Sequence, residues 1–592
     1  MASLSLSQRP APSARAGFAS CTRALLLTVP LALAACGGGG GSGSDPVAPP
    51  SGLSVGYGTK AYHFSWDAAP NATRYELFED PDGAAGPQPE VQIGGAIAST
   101  SYTHSLAGQL LHERVNASYR LRACGANGCG PFIATATPDL TQAIGRFELA
   151  GGGAAGKSGS YTTVVVLSAD DATLAVGYPG ASSAGGLAGA GAVYVFSRSA
   201  GGAWSQQARL EGGSPAAKMA FGGSLALSSD GDTLAVGAPE EKSNARGING
   251  DASNRDAYGA GAVYIFTRSG GAWSQQAYVK ARNTLQKVET CKRLDISGTQ
   301  VFPCMPQHFG FSVALSADGN LLAVGAPEEG ADFTQGLGGV VGSRFQPGDE
   351  TMFGGGAGAV HTFVRTNGSW AEQSHLPGSS ADPSVARFGA VLALSSDGSV
   401  LAASTDKDLS VLTQQSGTWS APTQVWRQPA ERGWQRPFAL SRDGSTIVFL
   451  DGSPVSPVVQ LQTFTRTGAA WTQQPALPVQ SADRYFSDST VLSLSADGRT
   501  LALGNPDDAS NAPGINGDAS NQAADSAGAV HVYRRSGGIW SHSAYLKAPR
   551  PQVRERLGIS VTLSADASTL AVGTSSATDG VTPSVADAVY IY

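Results

Sequence analysis

Charge is scarce in this chain. Only 14% of its 592 residues are Asp, Glu, Lys or Arg. That argues against long solvent-facing helices, and no basic cluster stands out to meet a nucleic-acid backbone. Histidine is scarce as well: the eight are scattered, and none stands at a spacing that suggests a metal site. No Gly-x-Ser-x-Gly elbow with partners and no His-Glu-x-x-His stands out, so these hydrolase signatures are missing. Beyond the N-terminus no run is apolar enough to cross a membrane as a helix. There are six cysteines. Cys21 and Cys36 lie near the N-terminus, and the other four fall into two local pairs, Cys124 with Cys129 and Cys291 with Cys304. These read as two disulfides closing short loops in an oxidising compartment. A zinc site is the alternative, disfavoured because the pairs lie in different domains and no His accompanies either.

Glycine is abundant, at 77 residues, which suits short strands and tight turns. One sentence recurs seven times. It begins Phe-Gly, continues through Leu-Ser-x-Asp-Gly and Leu-Ala-Val-Gly-Ala-Pro, then Gly-Ala-Val-Tyr-Val-Phe, and ends on Trp. The clearest copies run Phe221 to Trp273, Phe309 to Trp370 and Phe486 to Trp540. Each copy reads as four antiparallel strands, so residues 142–592 are expected to form a seven-bladed β-propeller in an all-β chain. The last copy reaches Tyr592 after its third strand. Gln142–Leu149 reads like Gln206–Leu210, a fourth strand, and is expected to complete the last blade. A solenoid or two half-rings is the alternative.

Upstream, residues 51–138 change pattern. Alternating Tyr62, Phe64 and Trp66, then Ala72–Leu77, Tyr102 and Tyr119–Cys124, predict a small β-sandwich. Residues 37–50 are Gly, Ser and Pro with one acid, a flexible tether. Residues 1–36 read as an export signal. Arg9, Arg15 and Arg23 precede the apolar stretch Ala24 to Ala35, which is short for a membrane span.

Three resemblances attach to these residues. Leu33-Ala34-Ala35-Cys36-Gly37 resembles the lipobox of bacterial lipoproteins. That implies lipid on Cys36 and anchoring in the cell envelope, at the outer membrane because Gly37 follows the Cys. The sandwich resembles a fibronectin type III domain, chiefly at Trp66, Tyr75 and Tyr119. The repeats resemble the FG-GAP repeat of the integrin α-chain propeller. The words stand as Phe221-Gly222 with Gly237-Ala238-Pro239 and Phe309-Gly310 with Gly325-Ala326-Pro327, while other copies drift, as in Phe388-Gly389 with Ala402-Ala403-Ser404.

The integrin resemblance implies calcium loops between the first two strands. Here that place holds only Ala317-Asp318-Gly319-Asn320 or its equivalent, and one carboxylate is too few for calcium's six to eight oxygens. That Asp is expected to cap a hairpin turn. The long loops between strands two and three are the other candidates. Blade two carries Glu240, Glu241, Asn249, Asp251, Asn254 and Asp256, and blade six carries Asp507, Asp508, Asn516, Asp518 and Asn521. Oxygens at such intervals have two readings, a calcium loop or Asx-turns bonding their own backbone, and the turns are favoured. No other cofactor is expected. Gly151–Ser158 fits the P-loop pattern, but a strand rather than a helix follows it, so no nucleotide is expected. The Trp of each fourth strand reads as structural.

Function is expected to be non-enzymatic: adhesion or recognition of a protein or glycan by loops on one propeller face. The best surface is Glu240–Asp256, Glu328–Met352 and Asp507–Asp525, with Glu240, Glu241, Glu328, Glu329, Asp507 and Asp508 as binding residues. Two alternatives remain, a polysaccharide hydrolase or lyase with acidic residues in the propeller mouth, and a structural scaffold of the envelope.

Overall fold

The structure, a computed structural model, describes residues 47–133, 135–149, 162–200, 202–284, 291–295, 298–302, 306–330, 357–378, 387–428, 437–451, 458–480, 490–575 and 587–592. Structural statements below concern these residues. Cys36 and its motif, Cys304, Phe486, Gly151–Ser158 and most of the Glu328–Met352 insert lie outside them. Cys291 is described only as backbone, in a ladder of Cys291–Asp295 with Gly298–Phe302.

Near the N-terminus, alternation of large apolar residues builds two sheets. Ala61–Ser65 is the centre of a three-stranded sheet, flanked by Ser54–Gly58 and Ser101–Ser105. Arg74–Asp80 and Ser118–Gly125 are the inner pair of a four-stranded sheet. The period of two turns Tyr62, Phe64, Tyr75, Leu77, Tyr119 and Leu121 into one buried cluster with Trp66. Trp66 meets Tyr75 edge-on at 5.4 Å between centroids. Cys124 and Cys129 are joined in a disulfide across the Gly125–Gly128 hairpin.

From Val164 onward, apart from the two-stranded Cys291–Phe302 ladder, the strands form seven sheets in succession. The first strand of each touches the first strand of the next, and the seventh touches the first. The chain is therefore a closed ring, a β-propeller. The last sheet, Ser560–Leu563, Leu570–Gly573 and Ala588–Ile591, takes its fourth strand from Gly145–Glu148, with Val589 opposite Phe147. Second strands are buried along their length, as in Leu321–Ala326, whereas fourth strands such as Trp204–Leu210 are partly exposed. In blades four and five the fourth strand is split, into Thr418–Trp419 with Thr423–Arg427 and Ala470–Gln473 with Leu477–Gln480. Pro422 and Pro475 stand in the gaps and cannot donate to a ladder.

The repeated words mark contacts between blades. Phe221 is fully buried against Tyr264 and Phe266. Gly237 of one blade lies on Gly310 of the next, so closely that a Cβ on Gly237 would collide with the Gly310 carbonyl. Gly310 itself sits at φ 87°, where a side chain is strained. Within each blade the Ser of Leu-Ser-x-Asp folds the first turn. Ser316 Oγ donates to Asp318 Oδ1 at 2.5 Å and accepts the Leu321 amide at 2.9 Å. The Trp residues bind the preceding blade: Trp273 Nε1 donates to Gln207, Trp370 Nε1 to Gln276 and Trp419 Nε1 to Gln373.

The sandwich and propeller belong to one compact unit, Val47–Tyr592. Leu140, Ala143 and Ile144 share a core with Leu570 and Tyr592. Lys60 is buried, and its ammonium donates to the Gln109 and Ser568 carbonyls and to Thr569 Oγ1. Burial pulls Lys60 down to about 7, against the opposing pull of Asp171. Glu113 pairs with Arg534, and His112 Nε2 lies 3.0 Å from Ser543 Oγ.

Candidate functional site

The long loops of blades two and six are built alike. Each returns alongside its own fourth strand, with Ile248 bridged to Val279 and Ile515 to Leu546. Asn249, at φ 57°, donates its amide to the Tyr278 carbonyl at 2.7 Å and accepts the Tyr278 amide on Oδ1 at 2.9 Å. Asn516 does the same with Tyr545 at 2.7 and 3.0 Å. Asp251 Oδ1 accepts from the Ser253 amide and hydroxyl, and Asp518 Oδ1 from those of Ser520. The serine hydroxyls hold both carboxyls below the ordinary carboxylate range. Asn254 Oδ1 accepts the Asn244 amide, and Asn521 Oδ1 the Asn511 amide. Asp256 receives a 3.4 Å contact from the Asn244 amide side chain. These oxygens brace their own backbone. Among the described residues no group of three His, Cys, Asp or Glu donors within reach of one ion includes Asp251, Asp256 or Asp518.

The acid pairs that follow the second strands of blades two, three and six have two separate jobs. The first acid reaches the residue before the next blade's Phe-Gly or its counterpart. Glu240 Oε1 lies 3.3 Å from His308 Nε2, Glu328 Oε1 lies 3.6 Å from Arg387, and Asp507 Oδ1 lies 3.4 Å from Arg556. His308 Nδ1 is also 3.0 Å from Glu328 Oε2. Burial pushes His308 down, but the two carboxylates outweigh it and lift it to about 9. The second acid meets a buried cation in blades two and six. Glu241 Oε2 lies 2.8 Å from Lys280 Nζ, and Asp508 Oδ1 lies 2.9 Å from Lys547 Nζ. Glu241, Glu328, Glu329 and Asp508 are buried. This corrects their expected place on an exposed binding surface: an acid desolvated at a blade junction is stable only when paired.

Blade three keeps the acid but changes its partners. Glu329 occupies the position of Glu241 and Asp508. The lysine position is Pro377, and two histidines converge instead. His361 Nε2 lies 2.9 Å from Glu329 Oε2, and His375 Nε2 lies 2.8 Å from Glu329 Oε1. Asn283 Nδ2 donates to Glu329 Oε1 at 2.7 Å. His361 Nδ1 faces Glu372 Oε1 at 3.3 Å. Burial raises Glu329, but bonds from both histidines and Asn283 outweigh it and hold it at about 2. Burial lowers His361, but Glu329 and Glu372 outweigh it and hold its pKa above the ordinary value. The three donor groups lie within 4.8 Å of one another. The sequence separates the histidines by a whole hairpin, which hid the cluster. The antiparallel register sets His361 directly opposite His375. Aligning the repeats would have exposed it, because His375 stands where Tyr278 and Tyr545 stand. The other grouping of donors, Glu76 with Cys124 and Cys129, holds disulfide sulfurs that are not free to ligate.

Comparison with known proteins gives one family match: residues 204–266 match the FG-GAP repeat. No curated protein matches the chain. Among solved structures, the Swd1 β-propeller domain of Myceliophteria thermophila is similar at 12% identity and TM-score 0.40, covering 73% of this chain and 96% of that one. Kuenenia stuttgartiensis hydrazine synthase is similar at 12% identity and TM-score 0.39, covering 71% and 94%. The Pseudomonas aeruginosa periplasmic gluconolactonase is similar at 14% identity and TM-score 0.35, covering 81% and 98%. Among the described residues no helix is long and apolar enough to cross a membrane.

Proposed function

We propose that this chain is a non-enzymatic lipoprotein of the bacterial outer membrane whose propeller recognises a protein or glycan partner. The observation that carries the reading is the matched pair of braced loops in blades two and six. Each exposes polar side chains on a backbone already fixed by its own Asn and Asp bonds. A surface fixed before contact loses little conformational freedom on binding. Beside the blade-two loop, Tyr258 is 59% exposed, with the Lys242 ammonium 5.2 Å from its ring centroid. An exposed aromatic beside a cation suits a binding surface. The FG-GAP match to residues 204–266 is compatible with recognition. The three-plus-four strand order supports a fibronectin type III-like sandwich, which joins the lipid anchor at Cys36 to the ring.

Two measurements test this reading. Metabolic labelling with a fatty acid should mark the wild-type chain and not Cys36→Ser. Affinity capture from crosslinked cells should recover a partner with the wild type and lose most of it with Tyr258→Ala/Asn254→Ala. Unlabelled wild-type protein would remove the anchor, and capture indifferent to the loop would remove the recognition surface.

A further inference from the structure

We propose that Glu329, His361 and His375 bind a divalent transition-metal ion of the Zn2+ class. The argument begins with what blades two and six do at the same place. There one carboxylate meets one lysine ammonium, Glu241 with Lys280 and Asp508 with Lys547. Blade three has neither lysine nor tyrosine at these positions. It places two imidazole nitrogens, one on each oxygen of Glu329. The donor set is two nitrogens and a carboxylate, which suits first-row transition metals and not calcium or magnesium.

Distances and surroundings agree. Zinc holds such donors at about 2.0–2.2 Å, which sets tetrahedral donors roughly 3.3 Å apart. The carboxylate–imidazole separations of 2.9 and 2.8 Å, one on each oxygen of Glu329, would open by a few tenths of an ångström, and one donor atom from each of the three residues lies within 4.8 Å of the others. His361 is fully buried, with the edge-on Phe309 ring at 5.2 Å. Its Nδ1 faces Glu372, the outer carboxylate that fixes the tautomer of a ligating histidine. Glu372 is held in turn by Arg282 at 3.1 Å. The His375 side chain is 29% exposed, so the cluster borders solvent on that side. Blade six supplies the contrast. His531 stands at the His361 position, but Tyr545 stands at the His375 position, and His531 instead lies 3.2 Å from His542.

The test uses the full chain and Co2+ as a spectroscopic probe. The site predicts one Co2+ per chain, with the visible absorption of a low-coordinate ion, displaced by Zn2+ and unmoved by Ca2+. The triple variant H361Y/H375Y/P377K gives blade three the side chains that blade two already folds with, Tyr264, Tyr278 and Lys280. It should keep the thermal transition and lose at least hundredfold in Co2+ affinity. Glu329→Gln, close in shape, repeats the test should the triple variant not fold, with the same loss expected. Glu372→Gln should weaken binding about 10- to 100-fold. No Co2+ or Zn2+ binding by the wild type, or binding that survives both Glu329→Gln and the triple variant, overturns the site. The cluster would then be an ion network joining two strands.

Discussion

At the residue scale, the repeat spends its few charged and polar side chains on turns and junctions. His308 shows how. It sits between Glu240 and Glu328, one carboxylate from each of two neighbouring blades. Its pKa in the folded chain, about 9, lies above the ordinary 6.5. The stabilisation from the charged ring is therefore complete below about pH 6.5 and disappears as pH rises through about 9. Linkage sets its upper size at roughly 3 kcal/mol. Thermal melts between pH 6 and 10 should show this loss in the wild type and a flatter profile in His308→Gln. Equal slopes would mean that the ring is not charged in the fold. Ser316→Ala leaves the buried Leu321 amide without its hydroxyl acceptor and removes one of the bonds to Asp318, which keeps those from Asn320. Chemical denaturation should show a loss of about 1–3 kcal/mol.

At the element scale, the blade is a hairpin series fastened to its predecessor along one outer edge. Trp370→Phe removes the indole bond to Gln276 together with part of the buried ring. It should cost at least about 1 kcal/mol in equilibrium unfolding; no change would mean that neither the edge bond nor the lost packing stabilises the blade. The four-strand pattern was legible in the sequence because apolar runs, Asp-Gly turns and Trp positions recur in fixed order. The purpose of the words was not. Phe-Gly and Gly-Ala-Pro are separated in sequence, but within a blade the Gly222 amide donates to the Gly237 carbonyl, and Gly237 in turn lies on Gly310 of the next blade. The acid pairs misled for a related reason. A sequence shows carboxylates without their partners, and His308, Lys280 and Lys547 arrive from other strands or the next blade. His361 and His375 escaped notice because hairpin register, not local spacing, brings them together.

At the scale of the molecule, closure is a pairing between the two ends of the propeller. Gly145–Glu148 and Ala588–Ile591 are hundreds of residues apart, yet they form one ladder. The sequence disclosed this because one copy had three strands and a spare fourth stood before the first copy. Phe147→Pro removes an amide from that ladder and should lower the melting temperature, with a loss of about 3 kcal/mol. An unchanged melt would mean that the ring holds without the clasp. The sandwich adds a second fastening, because Lys60 reaches Thr569 from outside the ring. How the sandwich and ring share a core was not legible, since Leu140, Ala143 and Ile144 look like linker residues until Tyr592 packs on them.

In the proposed function, the closed ring holds the blade-two and blade-six loops rigid as a recognition surface. The most direct measurement is site-specific photocrosslinking in living cells, with the probe placed at Tyr258, at Asn521 or at Ile539. Tyr258 and Asn521 belong to the loop regions, whereas Ile539 opens the fourth strand of blade six, next to the turn, and is 68% exposed. One discrete adduct, shared by the two loop positions and absent at Ile539, is expected. Adducts at Ile539 alone, or none at either loop, would contradict that function.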